Sequence, residues 1–275
     1  MDSYKIISDI ERNHILKLAK AGYRIDGRGF RDFREISIET DYIPKAEGSA
    51  KIYLGNTLVV AGVKVSIGPP YADTPDSGVI TVNAELTPLA SPEYEPGPPD
   101  ENSVEVARVV DRGIRHSNIV DKEKLVIIPG EKVFVIFLDL YVLCYDGNLY
   151  DAGEIAAVKA LMNTKLPKLP PNFAETGGEW LTPNKEDIEW VPLKIEDCPV
   201  SVTVAKLGDT LVVDPNEHEE RILDSRLTMT INQKNEICSM QKGGSGTFTF
   251  EEISTAIDMA QELAPKLQDI LKESK

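Results

Sequence analysis

Cysteine is scarce in this chain: three residues in 275 (Cys144, Cys198 and Cys238), far apart and never arranged as CxxC. That excludes a disulfide framework and a cysteine-ligated zinc site, and it points to a reducing cytoplasm. Histidine is equally rare, with three residues and no pair at metal-ligand spacing, so no metal or cofactor is expected. Long apolar runs are missing too. The longest, VFVIFLDLYVLC (133–144), is too short to cross a bilayer and contains Asp139, so no membrane contact is expected. The opening MDSYKIISDIERN lacks a basic segment followed by an apolar one, which argues against a secretion signal. Positive charge is in deficit: 30 Lys and Arg face 45 Asp and Glu, leaving a net charge of −15. Such a surface does not coat DNA or RNA non-specifically, although a local basic groove remains open.

What is present is ordinary for a soluble globular protein: 41% hydrophobic and 27% charged residues, in a length that suits one large domain or two moderate ones. Residues 4–21 read as an amphipathic helix with Ile6, Ile7, Ile10, Leu16 and Leu18 apolar and Gly22 at its end. A basic loop, RIDGRGFRDFR (24–34), leads into strand-like runs EISIET, SAKIYLG, TLVVAGVKVSI and GVITVNAEL, with a tight turn at GNT (55–57). In the proline-rich loop SPEYEPGPPD (91–100), Asp100 is placed to cap a helix running to about residue 119. LVIIPG and EKVFVIFLDLYVLCY read as strands, DGN as a turn, and 151–166 as a second helix; 167–187 is a long connection. A final helix opens with the capping box Thr249-x-x-Glu252, and Pro265 is expected to kink or end it.

The second half repeats the first. LGNTLVV (54–60) returns as LGDTLVV (207–213), and TVN (81–83) as TIN (230–232), in the same order and at similar spacing. Two related α+β halves, about 1–190 and 191–275, forming one body are therefore expected.

RIDGRGFRDFR, GSAKIYLGNTLVVAGVKV, VDRGIRHS, PGEKVFVIFLDLYVLCYDGN and VVDPNEHEE stand in an order that resembles the RNase PH family across nearly the whole chain. Within that family the chain looks most like the non-catalytic ring subunit of the archaeal exosome. The resemblance implies an α+β fold, the duplicated βαβα-type of RNase PH. It also implies a six-membered ring shared with a catalytic RNase PH-type subunit, RNA-binding cap subunits, and single-stranded RNA degraded by phosphate from its 3' end.

Three features bear on whether this chain performs that chemistry. Phosphate would bind where a loop feeds a helix N-terminus. At the positions where catalytic relatives carry Gly-Ser-Arg stand Asn148, Leu149 and Tyr150, with Asp146 and Asp151 adding negative charge. Where they carry an E-D-x5-D pattern, Glu219 is followed by Glu220 and then by Arg226. Glutamate for aspartate shifts a carboxylate by about an ångström, and such misplacement costs on the order of a hundredfold in rate. A basic pair of the catalytic relatives falls on Glu101 and Asn102. A chain without catalysis of its own is the principal expectation. The alternatives are an active phosphate-dependent exoribonuclease using Glu220, and an RNA-binding protein that forms no ring.

Other clusters read more plainly. DPNEHEE (214–220) is expected to be a solvated or interface acidic turn, with His218 a surface side chain, and KGGSG (242–246) a turn before a strand. Arg108, Arg112 and Arg115 are spaced to share one helical face, and the family resemblance implies that this helix lines the RNA path. Arg24, Arg28, Arg31 and Arg34 are expected in salt bridges within the loop or to a partner.

Overall fold

A computed structural model describes residues 8–170, 173 and 189–274. Helix α1 (Asp9–Lys20) is capped by the Ser8 side chain and buries Ile15 and Ala19. Ile6 and Ile7 lie outside the described residues, and Ile10 is 84% exposed rather than part of the apolar face. The helix packs on Ala205, Leu207, Val212 and Ile222, a small core separate from the main one.

Strands β1 (Ile36–Thr40), β2 (Gly48–Leu54), β3 (Thr57–Gly68), β4 (Val79–Leu86), β5 (Val126–Ile128) and β6 (Lys132–Cys144) form one sheet, ordered β1-β2-β3-β6-β4 with β5 on β6. All pairs are antiparallel except β4 with β6. Alternation along β6 sends Phe134, Ile136, Leu138, Leu140 and Val142 into the core, and leaves Phe137 and Tyr141 exposed on the outer face. Two helices cover the inner face: α2 (Glu101–Ser117), capped by Asp100 as expected, and α3 (Leu149–Met162). Short strands β7 (Lys165–Pro167) and β8 (Trp190–Pro192) pair with each other, and most of the long connection between them is outside the described residues.

The second sheet is four-stranded: β9 (Val200–Leu207), β10 (Thr210–Val213), β11 (Ser225–Ile231) and β12 (Ile237–Gly243), ordered β10-β9-β11-β12. Helix α4 (Glu217–Ile222) interrupts it and α5 (Phe250–Glu273) packs on β9, β10 and β11. Helix α5 continues through Pro265, so of the expected kink or end the helix shows no end there. The layers run sheet, α2 and α3, sheet, α5: a duplicated βαβα-type fold. Helix α3 lies between both sheets and is buried on every side, from Leu149 to Leu161, its mostly apolar surface also taking Asp151, Glu154 and Lys159 inside.

The duplication is visible in the turns. LGNT and LGDT make equivalent hairpins, β2–β3 and β9–β10, each through a left-handed glycine, Gly55 at φ +58° and Gly208 at φ +61°. TVN lies within β4 and TIN ends β11, with Asn232 just past the strand, but β4 runs parallel to β6 whereas β11 lies antiparallel between β9 and β12. Two sequence boundaries shift. Helix α3 begins at Leu149 because Asn148, at φ +54°, caps it, and it ends at Met162, so Lys165 and Leu166 are strand. KGGSG ends β12 and leads into α5, so its glycines follow a strand instead of preceding one.

Candidate functional site

The basic loop and the acidic cluster meet. Arg24, 4% exposed, grips Glu219, 1% exposed, through both ends of its fork, Nε to Oε1 at 2.9 Å and Nη2 to Oε2 at 2.5 Å. Asp214 is fully buried and accepts from Arg34 Nε at 2.9 Å, Arg34 Nη2 at 2.7 Å, the Arg34 backbone N–H at 2.8 Å and Arg28 Nη1 at 2.8 Å. Arg31 pairs with exposed Glu262. The arginines therefore salt-bridge within the chain. DPNEHEE is not a solvated turn. Asn216 and Glu219 form a capping box that starts α4, and only His218, paired with Glu11 at 2.8 Å, is surface-exposed. Burial of these acids follows from the arginines that neutralise them, because a buried charge is tolerated only when paired. Among the described residues no group of His, Cys, Asp and Glu is arranged to hold a metal.

Asn148, Leu149 and Tyr150 sit at the N-terminus of α3, where backbone N–H groups and the helix dipole favour an anion. That position is filled from inside the chain. The Asn148 N–H donates to Glu220 Oε1 at 2.9 Å, and Tyr145 Oη donates to Glu220 Oε2 at 2.5 Å. The filling carboxylate is Glu220; Asp146 and Asp151 are directed elsewhere. Asp146 accepts from Asn56 at 3.1 Å. Asp151 points between the sheets, accepting from Thr203 N at 2.9 Å, Thr203 Oγ1 at 2.8 Å and the Asn148 amide at 2.7 Å. The same amide donates to Asp214 at 2.8 Å. Burial pushes the Asp151 carboxyl up to about 7 despite the Asn148 and Thr203 hydrogen bonds that oppose it.

Arg226, on β11, crosses to α3. Its guanidinium lies 4.5 Å over the Tyr150 ring, bonds the Tyr150 hydroxyl, and reaches Glu105 Oε2 at 2.9 Å. Glu220, Arg226, Tyr94, Tyr145, Tyr150 and Asn102 line a cavity of about 120 Å3. Glu101 is exposed in the first turn of α2.

Spacing on α2 places the three arginines on one face, but their partners divide them. Arg108 and Arg115 share one carboxylate, Asp111, at 3.8 and 2.8 Å. Arg112 turns to Gln241 on β12, at 2.6 Å. Arg108 and Arg115 flank a cleft of about 440 Å3 that also takes in Lys122 and Tyr71. Lys122, Gln241, Tyr145 and Thr203 carried no sequence signal. The pairing of a basic loop with a distant acidic cluster was available as charge complementarity.

The layered, duplicated fold carries a loop-to-helix anion position at the junction of its halves. The chain belongs to the RNase PH, or 3' exoribonuclease, family, whose domain 1 matches residues 32–167 and whose domain 2 matches residues 197–262. It is 51% identical over 274 residues to the exosome complex component Rrp42 of Thermococcus gammatolerans, covering all of this chain and 98% of that protein. It is 47% identical over 267 residues to the Rrp42 of Methanopyrus kandleri, covering 97% of each. Among solved structures, a chain of the Archaeoglobus fulgidus exosome with RNA bound to the active site superposes with a TM-score of 0.86 at 46% identity, over 95% of this chain and 98% of that one.

Proposed function

We propose that this chain is the non-catalytic subunit of a phosphorolytic 3'–5' RNA-degrading exosome ring in the cytoplasm. It pairs there with a catalytic RNase PH-type subunit and shapes that subunit's active site. One observation carries the reading: the helix N–H that would meet phosphate is bonded to Glu220, and a cation, Arg226, stands where the family's second carboxylate falls. A site whose anion position holds the protein's own carboxylate offers phosphate a competitor and a repulsion together. The outer face of the first sheet, with Tyr53, Phe137 and Tyr141 exposed, supports burial against neighbouring subunits. Similarity to Rrp42 chains over their full length supports the same assembly, with RNA-binding cap subunits as further partners. Arg108, Arg112 and Arg115 are its RNA contacts.

The test is phosphate-dependent release of nucleoside diphosphates from a single-stranded RNA, by the purified chain alone and with a catalytic RNase PH-type partner. Silence alone with activity in the mixed complex is expected. Turnover by the chain alone would make Glu220 a working catalytic carboxylate and reject the proposal.

A further inference from the structure

The cavity beside Glu220 is closed to phosphate but not empty of recognition chemistry, and we infer that it is a binding site for a guanine base. Three charged residues, Glu93, Glu220 and Arg226, line the same space of about 120 Å3; Glu93 pairs with Arg221 at 3.2 Å, while Glu220 and Arg226 are each held by other groups and form no ion pair with one another. Opposite charges that share a cavity without bonding each other leave a gap with an acceptor edge and a donor edge.

Both edges are fixed in place. Each oxygen of Glu220 takes one hydrogen bond, from Asn148 N–H and Tyr145 Oη, and keeps a lone pair for another. Arg226 uses Nη2 for Glu105 and Tyr150, which leaves Nη1 and Nε as donors. Its guanidinium is held between the Tyr150 ring and Gly243, where an added Cβ would stand 2.5 Å from Cζ. Tyr94 and Tyr145, with ring centroids 5.6 Å apart and planes tilted by 53°, line the cavity with aromatic surface, and the face of one ring can take a planar base.

Guanine matches this arrangement. Its N1–H and N2–H groups are adjacent donors for a carboxylate, and its O6 accepts from a guanidinium, the commonest specific pairing of arginine with a base. Adenine and cytosine present an amino donor beside an acceptor nitrogen. They leave a carboxylate one donor short and put N–H toward Arg226. Loss of such a buried partner costs far more than loss of a methylene. Nothing in this argument requires the ring, so it can fail or hold independently of the proposed subunit role.

The experiment is a titration of the full chain with guanosine and with adenosine, followed by NMR or calorimetry. A second arm uses a short oligouridine carrying one guanine or one adenine. Guanosine binding at least tenfold tighter than adenosine, undiminished by inorganic phosphate, is expected, and Glu220→Gln should erase the preference while the thermal midpoint reports whether that variant folds. Preference in the nucleoside arm alone assigns the cavity to a free nucleotide, and preference in the oligonucleotide arm assigns it to RNA; either supports the inference. Equal binding of the two bases in both arms, no binding in either, or displacement by phosphate overturns it, and this comparison needs no variant.

Discussion

Asp214 and Asp151 share the Asn148 amide and are both fully buried, yet their carboxyls move in opposite directions. At Asp214 burial alone would raise the carboxyl, but Arg34, Asn148 and Arg28 outweigh it and hold it below the ordinary range. At Asp151 burial wins over the Asn148 and Thr203 hydrogen bonds, and the charge of Asp214 adds to it. Asp214 therefore contributes stability above the unfolded carboxylate value of about 4, and that stability is lost as pH falls through its lower folded value. Asp151 does the reverse: its contribution is complete below about 4 and is lost as pH rises to its folded value of about 7. Asp214→Asn should cost about 3–5 kcal/mol at neutral pH, because Arg34 and Arg28 lose a buried partner. Asp151→Asn should make the decline in stability between about pH 4 and about pH 7 shallower. Denaturant midpoints across that range test both; an unchanged slope for Asp151→Asn, or a loss under about 1 kcal/mol for Asp214→Asn, would contradict them. The family resemblance marked Asn148, Glu220 and Arg226 as altered positions, but not what each touches. Glu220 reaches the Asn148 N–H across 72 residues of chain, and Arg226 reaches Tyr150 across 76, contacts that only the packed halves create.

Among elements, α2 crosses α3 at close range. Gly113 faces Glu154, and a Cβ there would stand 2.4 Å from Glu154 Oε1. Glu154 is fully buried and neither carboxyl oxygen has a hydrogen-bond partner, while burial, then Asp151 and Asp111, push its pKa well upward. Alanine at position 113 would gain about 1 kcal/mol of helix propensity and lose about 1–3 kcal/mol to overpacking. A net destabilisation of up to about 2 kcal/mol is expected for Gly113→Ala, vanishing in a Glu154→Ala background that clears the space. Urea unfolding of the two single variants and the double variant gives the coupling; an equal cost in both backgrounds would place the strain elsewhere. Most elements were legible because hydrophobic period and caps agree, as at Asp100 and Thr249. The exceptions share a cause. The first turn of α3 read as loop because its cap is a left-handed Asn, and α4 read as a turn because it is short and nearly all charged, its burial visible only once Arg24 is in place. Pro265 was expected to kink or end α5, and tertiary packing of Ala264 and Leu267 carries the helix past it.

At the scale of the whole molecule, a net charge of −15 repels RNA at long range, so any affinity has to be local and short-range. The cleft beside α2 supplies such a place. Arg108, Arg115 and Lys122 meet there against Asp111 and Asp73, and the Arg108 and Arg115 side chains are 69% and 43% exposed. Both arginines lean on one shared carboxylate, which leaves a cationic excess where a phosphate can approach. Arg112 is partly buried and hydrogen-bonded to Gln241, so it must give up a partner before it can contribute. A single-stranded backbone releases counterions with a log–log salt slope of about 0.7 per phosphate contact. In a ring assembled with a catalytic partner, Arg108→Glu with Arg115→Glu should therefore weaken RNA binding and flatten that slope by about 1.4. Arg112→Glu alone should change it by about 0.7 or less. Affinity measured against salt concentration reads both, with light scattering to show that each variant still assembles. If the double variant assembles and keeps the full slope, the ring draws its RNA contacts from other surfaces and the α2 arginines serve only to hold Asp111 in place.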